Sequence, residues 1–185
     1  MQLSLPRVSL PSVTTTKQAL KAGFAIAVGY YVFAYARQPL EPHFIDSVNL
    51  VIHEAGHAVF MPFGKALFIA GGTIMQLIIP ALFAAYFWWY QRDRYAVGLM
   101  LYWLGQNFVN VSVYARDAQV MQLPLLGGDP SGHDWHNLLD MFNLLPYTAA
   151  ISDTIAVIGW IVMLAGFVLS VWYSLGLSWR EAIRD

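Results

Sequence analysis

Residues 50–57 read Leu50-Val51-Ile52-His53-Glu54-Ala55-Gly56-His57, an H-E-x-x-H pattern inside an apolar run. The run predicts a helix over 45–61, broken by Pro62 and Gly64. On a helix, positions i and i+4 share a face, so His53 and His57 can present their imidazoles to one metal ion. Glu54 lies beside them, where it can act on a metal-held water. This is the zinc-hydrolase arrangement: two nitrogen donors, a third ligand from elsewhere, an open fourth position and a carboxylate as general base. A helix that carries these residues by chance is the alternative. Its flanks weigh against it, because ionisable groups in an apolar helix are costly without a function. Gly56 costs a helix about 1 kcal/mol, which points to a need for close packing or access there.

Working outward, the composition is that of a membrane protein. Only 11% of the 185 residues are charged and 58% are hydrophobic, against about 25% charged in a soluble domain. The net charge of −1 leaves no basic footprint for nucleic acid. The chain has no cysteine, so a metal can be held only by His, Asp, Glu or water.

Residues 1–21 read as a polar N-terminal arm with Pro6, Arg7, Pro11, Lys17 and Lys21. Residues 22–185 read as one membrane-embedded domain. Its first apolar run, 22–36, ends in Ala34-Tyr35-Ala36, a pattern that also fits a signal-peptide cleavage site. The long positive leader favours a retained helix. Pro39 and Pro42 shape the loop that follows, with His43 at the surface. Residues 66–90 are long enough, at roughly 37 Å, to cross a bilayer core. Pro80 is expected to kink that span, and Trp88, Trp89 and Tyr90 form an interfacial belt before Arg92 and Arg94. Residues 95–115 form a span with a polar stripe, because Asn107, Asn110, Tyr114 and Asp117 fall on one helical face. Such a stripe serves either as interhelical hydrogen bonding or as the wall of a wet cavity. Residues 116–147 form an extramembrane loop with a short helix starting near Trp135, and 148–175 form the last span.

The expected fold is therefore an all-α, polytopic membrane bundle with four to five transmembrane or membrane-inserted helices. If the helix carrying His53 dips without crossing, Arg7, Lys17, Lys21, Arg92, Arg94, Arg180 and Arg184 share one side. The positive-inside rule then places the N-terminus in the cytoplasm. If that helix crosses fully, the positive residues divide evenly.

A third metal ligand must come from His133, Asp134, Asp153, Asp117 or His136. Asp134 precedes a helix and so has a competing role as N-cap. His133 has no such role and follows Gly132, which ranks it first, with Asp134 second and Asp153 third. His136 reads as an exposed helix residue or a support for the site.

These residues resemble the site-2 protease family of intramembrane zinc metalloproteases. His53 to His57 match the family's H-E-x-G-H. Gly72-Thr73-Ile74-Met75-Gln76 looks like its G-P-x-x-N, with Thr73 in place of Pro and Gln76 in place of Asn. Asn143-Leu144-Leu145-Pro146 matches the start of its third motif, but no L-D-G follows. The resemblance covers roughly residues 45–153 and implies a minimal, core-only relative. It implies a Zn²⁺ cofactor, a membrane-protein or peptide substrate, and a substrate-holding role for Gln76.

The expected activity is hydrolysis of peptide bonds in membrane-embedded or juxtamembrane substrates. His53, His57 and His133 would be the ligands and Glu54 the base. Gln76, Asn107 and Tyr114 would line the substrate, the last two as oxyanion donors. A membrane lipid amide or ester hydrolase and a non-catalytic metal-binding scaffold are the alternatives. The small residues Ala70, Gly71 and Gly72 allow close helix packing, within one chain or in a homo-oligomer.

Overall fold

The computed structural model describes residues 16–41, 43–126 and 128–176, and every regular element among them is helical. In chain order these are α1 (Thr16–Arg37), α2 (Phe44–Phe60), α3 (Lys65–Tyr86), α4 (Arg94–Arg116), α5 (Asp134–Met141) and α6 (Thr148–Ser174). The all-α bundle expected from the sequence is present. Three stretches, Thr16–Arg37, Lys65–Gln91 and Leu145–Ser174, are long and apolar enough to cross a membrane. The other two long helices fall short for different reasons. α2 has 17 residues, and α4 carries Gln106, Asn107, Asn110 and Ser112 along its length.

α1 begins at Thr16, inside the stretch read as a polar arm. Pro6, Arg7, Pro11, Pro42, Gly127, Arg180 and Arg184 lie outside the described residues. Tyr35, at the centre of the small-residue pattern, is a fully buried core residue. It packs with Val32, Tyr102, Val109 and Met163 where α1, α4 and α6 meet.

The start and stop of α2 follow from local chemistry. Asp46 sits in its first turn, where Oδ2 accepts from the backbone N–H of His43 at 3.1 Å and satisfies one orphan donor of the helix end. After Phe60 the chain makes a short turn through Met61–Phe63, then reverses at Gly64, whose φ of 97° suits glycine. The reversal lays α3 back against α2. There Gly56 and Gly71 face each other so closely that a Cβ on either would meet the other's carbonyl.

α4 and α6 share the largest helix interface. It is built on two glycine pairs: Gly98 lies against the Gly166 carbonyl and Gly105 against the Gly159 carbonyl. Bare backbone lets the two axes approach, as small residues do between membrane helices. α4 is thus clamped from behind by α6, and its opposite face, carrying Asn110 and Tyr114, looks toward α2 and α3. At its start, Asp93 caps α4 by accepting from Ala96 N–H at 3.1 Å, and the Arg94 guanidinium lies 3.4 Å from the centre of the Trp88 ring.

Candidate metal centre

His53 and His57 both project from α2 toward α3, and their rings are 4.9 Å apart. Each Nδ1 is tied to an oxygen. His57 Nδ1 is 2.8 Å from the Phe68 carbonyl, which can only accept, so that nitrogen carries the proton. His53 Nδ1 is 3.2 Å from Gln76 Oε1. With Nδ1 as the donor, each Nε2 is left with a lone pair.

Both lone pairs face one carboxylate. Asp134 Oδ2 stands 2.9 Å from His53 Nε2 and 3.2 Å from His57 Nε2. The three donor atoms all lie within 4.8 Å of one another. Ligands of a tetrahedral zinc, with bonds of about 2.0–2.1 Å, sit about 3.3 Å apart. Donor chemistry and spacing both fit a divalent cation. Histidines whose second nitrogen is held by a carbonyl-type oxygen are the usual form of metal-ligating histidine.

α5 delivers Asp134. Asp129 starts a turn by accepting from Ser131 N–H at 2.9 Å. His133 then caps α5, its Nδ1 accepting from His136 N–H at 3.1 Å. Asp134 is the first residue of the helix, and its backbone N–H donates to the Tyr114 hydroxyl at 3.0 Å.

The sequence ranking of the third ligand is reversed in this geometry. His133 is fully buried and is not among the three converging donors. Its Nε2 lies 3.2 Å from Asp117 Oδ2, and its Nδ1 is taken by the His136 amide. Both ring nitrogens are therefore occupied, and burial lowers the pKa of the ring against the opposing pull of Asp117. The cap reading was displaced by one residue: His133 caps the helix, which frees Asp134 to turn toward α2. Asp117 is also engaged, accepting from Gln122 N–H at 3.0 Å and Leu123 N–H at 2.9 Å. Asp153 pairs with Arg116 at the surface. His136 Nδ1 lies 2.7 Å from the Ala118 carbonyl, which holds α5 to the end of α4.

A cavity of about 760 Å³ opens over the three donors. Glu54 lines it together with His53, His57 and Asp134, so the expected base shares a chamber with the two expected histidines but not with His133. Tyr114, Asn110 and Gln76 line it as well, and Leu40, Leu50, Phe68, Val113 and Leu123 supply apolar wall. Asn107 does not reach it. That side chain is completely buried and donates to the Trp103 carbonyl at 2.9 Å, one turn back on its own helix. Of the polar stripe on α4, Asn110 and Tyr114 line the cavity, and Asn107 and Asp117 do not. Gln76 is present, but its amide oxygen faces His53 and its nitrogen donates to Asn110 Oδ1 at 2.8 Å.

Two contacts that hold the histidines were not read from the sequence, which had marked Gly72 only as a motif and packing residue. Gly72 lies directly beneath the His53 ring, and the Phe68 carbonyl holds His57. The spacing of Phe68, Gly72 and Gln76 is the available signal, since the three form one face of α3. No protein-family model, no curated protein and no solved structure matches the chain.

Proposed function

We propose that this chain is a multi-pass membrane zinc hydrolase that cleaves peptide bonds of membrane-embedded or juxtamembrane substrates. The supporting observation is the convergence of His53 Nε2, His57 Nε2 and Asp134 Oδ2 in a cavity that Glu54 also lines. A two-histidine, one-carboxylate set, with no fourth His, Asp or Glu in the group among the described residues, matches the ligand count of a catalytic site with an open position. When bound there, Zn²⁺ supplies Lewis acidity and a water acidic enough to lose its proton near neutral pH.

The chain's own groups do the rest. His53 and His57 bind through Nε2, each oriented by the oxygen on its Nδ1. Asp134 adds the third donor and lowers the charge of the site. The Glu54 carboxylate accepts the proton of the attacking water and returns it to the leaving amine. The apolar wall accepts side chains and excludes bulk water. Of the two expected oxyanion donors, Tyr114 keeps its place in the cavity. On this reading α1, α3, α4 and α6 cross the membrane and α2 dips beside them, an arrangement whose charge distribution favours a cytoplasmic N-terminus.

The test is metal analysis of the purified protein together with cleavage of a model membrane peptide by wild type and Glu54→Gln. Equal cleavage by the two would sink the proposal. The apolar cavity wall also suits an acyl chain, so a lipid extract is the parallel substrate; release of fatty acid without peptide cleavage would transfer the site to lipid amide or ester hydrolysis.

A further inference from the structure

The cavity lies at one end of the bundle. α1 and α4 finish there, α3 and α6 begin there, and Asn110 is roughly 9 Å from the end of α4. α1 and α4 run parallel. At the far end the Tyr95 hydroxyl donates to the Lys21 carbonyl at 2.9 Å, and near the cavity Asn110 Nδ2 donates to the Tyr35 hydroxyl at 3.0 Å. α3 and α6 run the opposite way. Gln76 meets Asn110 and Phe83 meets Trp103, while Ser152 meets the Ser112 carbonyl and Ser170 lies against Gly98.

This arrangement sorts the charges. Lys17, Lys21, Arg92 and Arg94 sit at the far end with a single carboxylate, Asp93. In the sequence Arg7 precedes α1 and Arg180 and Arg184 follow α6, so the flanks of that end are basic as well. Every other acidic side chain among the described residues, from Glu41 to Asp153, belongs to the cavity end. Lys and Arg beside membrane spans mark the cytoplasmic side. The cavity therefore faces the opposite side.

The cavity itself is one-signed. Glu41, Asp46, Glu54 and Asp134 line it, and no Lys or Arg among the described residues does. The three basic side chains of that end are placed elsewhere: Arg116 pairs with Asp153, Arg37 lies 5.8 Å over the Phe33 ring, and Lys65 is exposed at the start of α3. Asp134 and Glu54 are committed to the metal centre, but Glu41 and Asp46 are not. Asp46, Leu50, His53 and His57 share one face of α2. Asp46 is roughly 10 Å along that face from His53, the reach of about three residues of extended peptide.

We propose that the metal centre opens on the non-cytoplasmic face of the membrane and takes a juxtamembrane peptide segment there that carries a Lys or Arg about three residues from the bond at the metal. Glu41 and Asp46 set that preference. Between low-dielectric walls their field favours a cation and penalises a carboxylate. The choice of substrate rests on the reading of the cavity as a peptidase site; the side on which it opens does not.

Sidedness is read by labelling, since the chain has no native cysteine. Ser131→Cys, exposed in the loop before α5, and Gln91→Cys, exposed at the far end, are introduced singly into the full chain and treated in spheroplasts with a membrane-impermeant maleimide. Ser131→Cys should react in intact spheroplasts, and Gln91→Cys only after permeabilisation. Any other pattern overturns the outward-facing site. Charge preference is read as peptide binding to the full-length Glu54→Gln variant in detergent with Zn²⁺, which keeps the peptide uncut. The probes are fluorescent model membrane peptides with one Lys, Gln or Glu moved along the juxtamembrane segment. At the best position Lys should bind at least about 10-fold tighter than Glu, with Gln between them. Adding Glu41→Gln should cut that ratio at least about 3-fold. Equal affinities, a ratio that Glu41→Gln leaves unchanged, or no binding of any peptide overturns the preference. Lys-selective binding with no cleavage by wild type would instead overturn the hydrolase and leave this inference standing.

Discussion

The imidazole of His53 rests on the bare Cα of Gly72, and a methyl group added there would overlap Nε2, Cδ2 and Cε1 of the ring. The contact places α3 under the metal-facing edge of the histidine, while Gln76, one turn later on the same helix, holds the opposite nitrogen. Gly72→Ala is therefore expected to push His53 off its present orientation. The helix itself would gain up to about 1 kcal/mol from the substitution. The expected outcome is a folded protein whose Zn²⁺ affinity drops by at least about 10-fold, read by metal competition alongside thermal unfolding. Unchanged affinity would show that His53 does not act from this position.

What could be read from the residues was the periodic part. The apolar runs gave α2, α4 and α6 to within a residue or two and α3 to within four, because 3.6-residue periodicity and Pro or Gly breaks are local properties. His53, Glu54 and His57 were legible for the same reason, being fixed to each other by one helical turn. The third donor was not. Whether His133 or Asp134 reaches α2 depends on a one-residue shift in where α5 begins, and helix starts are the least determined feature of a sequence. Asn107 was misplaced for a related cause: a stripe marks a face, but how far along α4 the cavity extends depends on where α6 clamps the helix.

Because Asp134, and not His133, lies against the two histidine nitrogens, substitutions at the two sites should separate. Asp134→Ala removes a carboxylate lying 2.9 and 3.2 Å from the two histidine nitrogens and should abolish stoichiometric zinc. His133→Ala removes the cap of α5 and the buried partner of Asp117. It should cost about 1–3 kcal/mol of stability while leaving zinc bound at one equivalent. Metal content and melting temperature of both variants check this, and zinc lost in His133→Ala but kept in a folded Asp134→Ala would reverse the assignment.

Glu54 lines the cavity but makes no part of the three-donor group. Its carboxylate should thus be dispensable for holding metal and required for moving the proton. Glu54→Gln is expected to bind zinc as wild type does and to lose about 10²- to 10⁴-fold in kcat, the usual contribution of a general base. Loss of metal together with activity would instead make Glu54 a ligand.

The packing of α4 on α6 decides the sign of a glycine substitution. A Cβ on Gly105 would meet the backbone N of Met163 at 2.7 Å and the carbonyl oxygen of Gly159 at 2.8 Å, atoms that cannot move without shifting a helix. A Cβ on Gly23, on the outer side of α1, meets nothing within 4 Å. Both glycines are helical, so replacing either by Ala brings the same gain of about 0.5–1 kcal/mol in helix propensity. At Gly23 that gain is unopposed, and Gly23→Ala should raise the melting temperature. At Gly105 it meets an overpacking cost of about 1–3 kcal/mol, so Gly105→Ala should lower it. Thermal unfolding of the two variants in the same detergent gives the comparison. Shifts of the same sign would mean that the Gly105–Gly159 contact is not what holds α4, with its Asn110 and Tyr114, against the site.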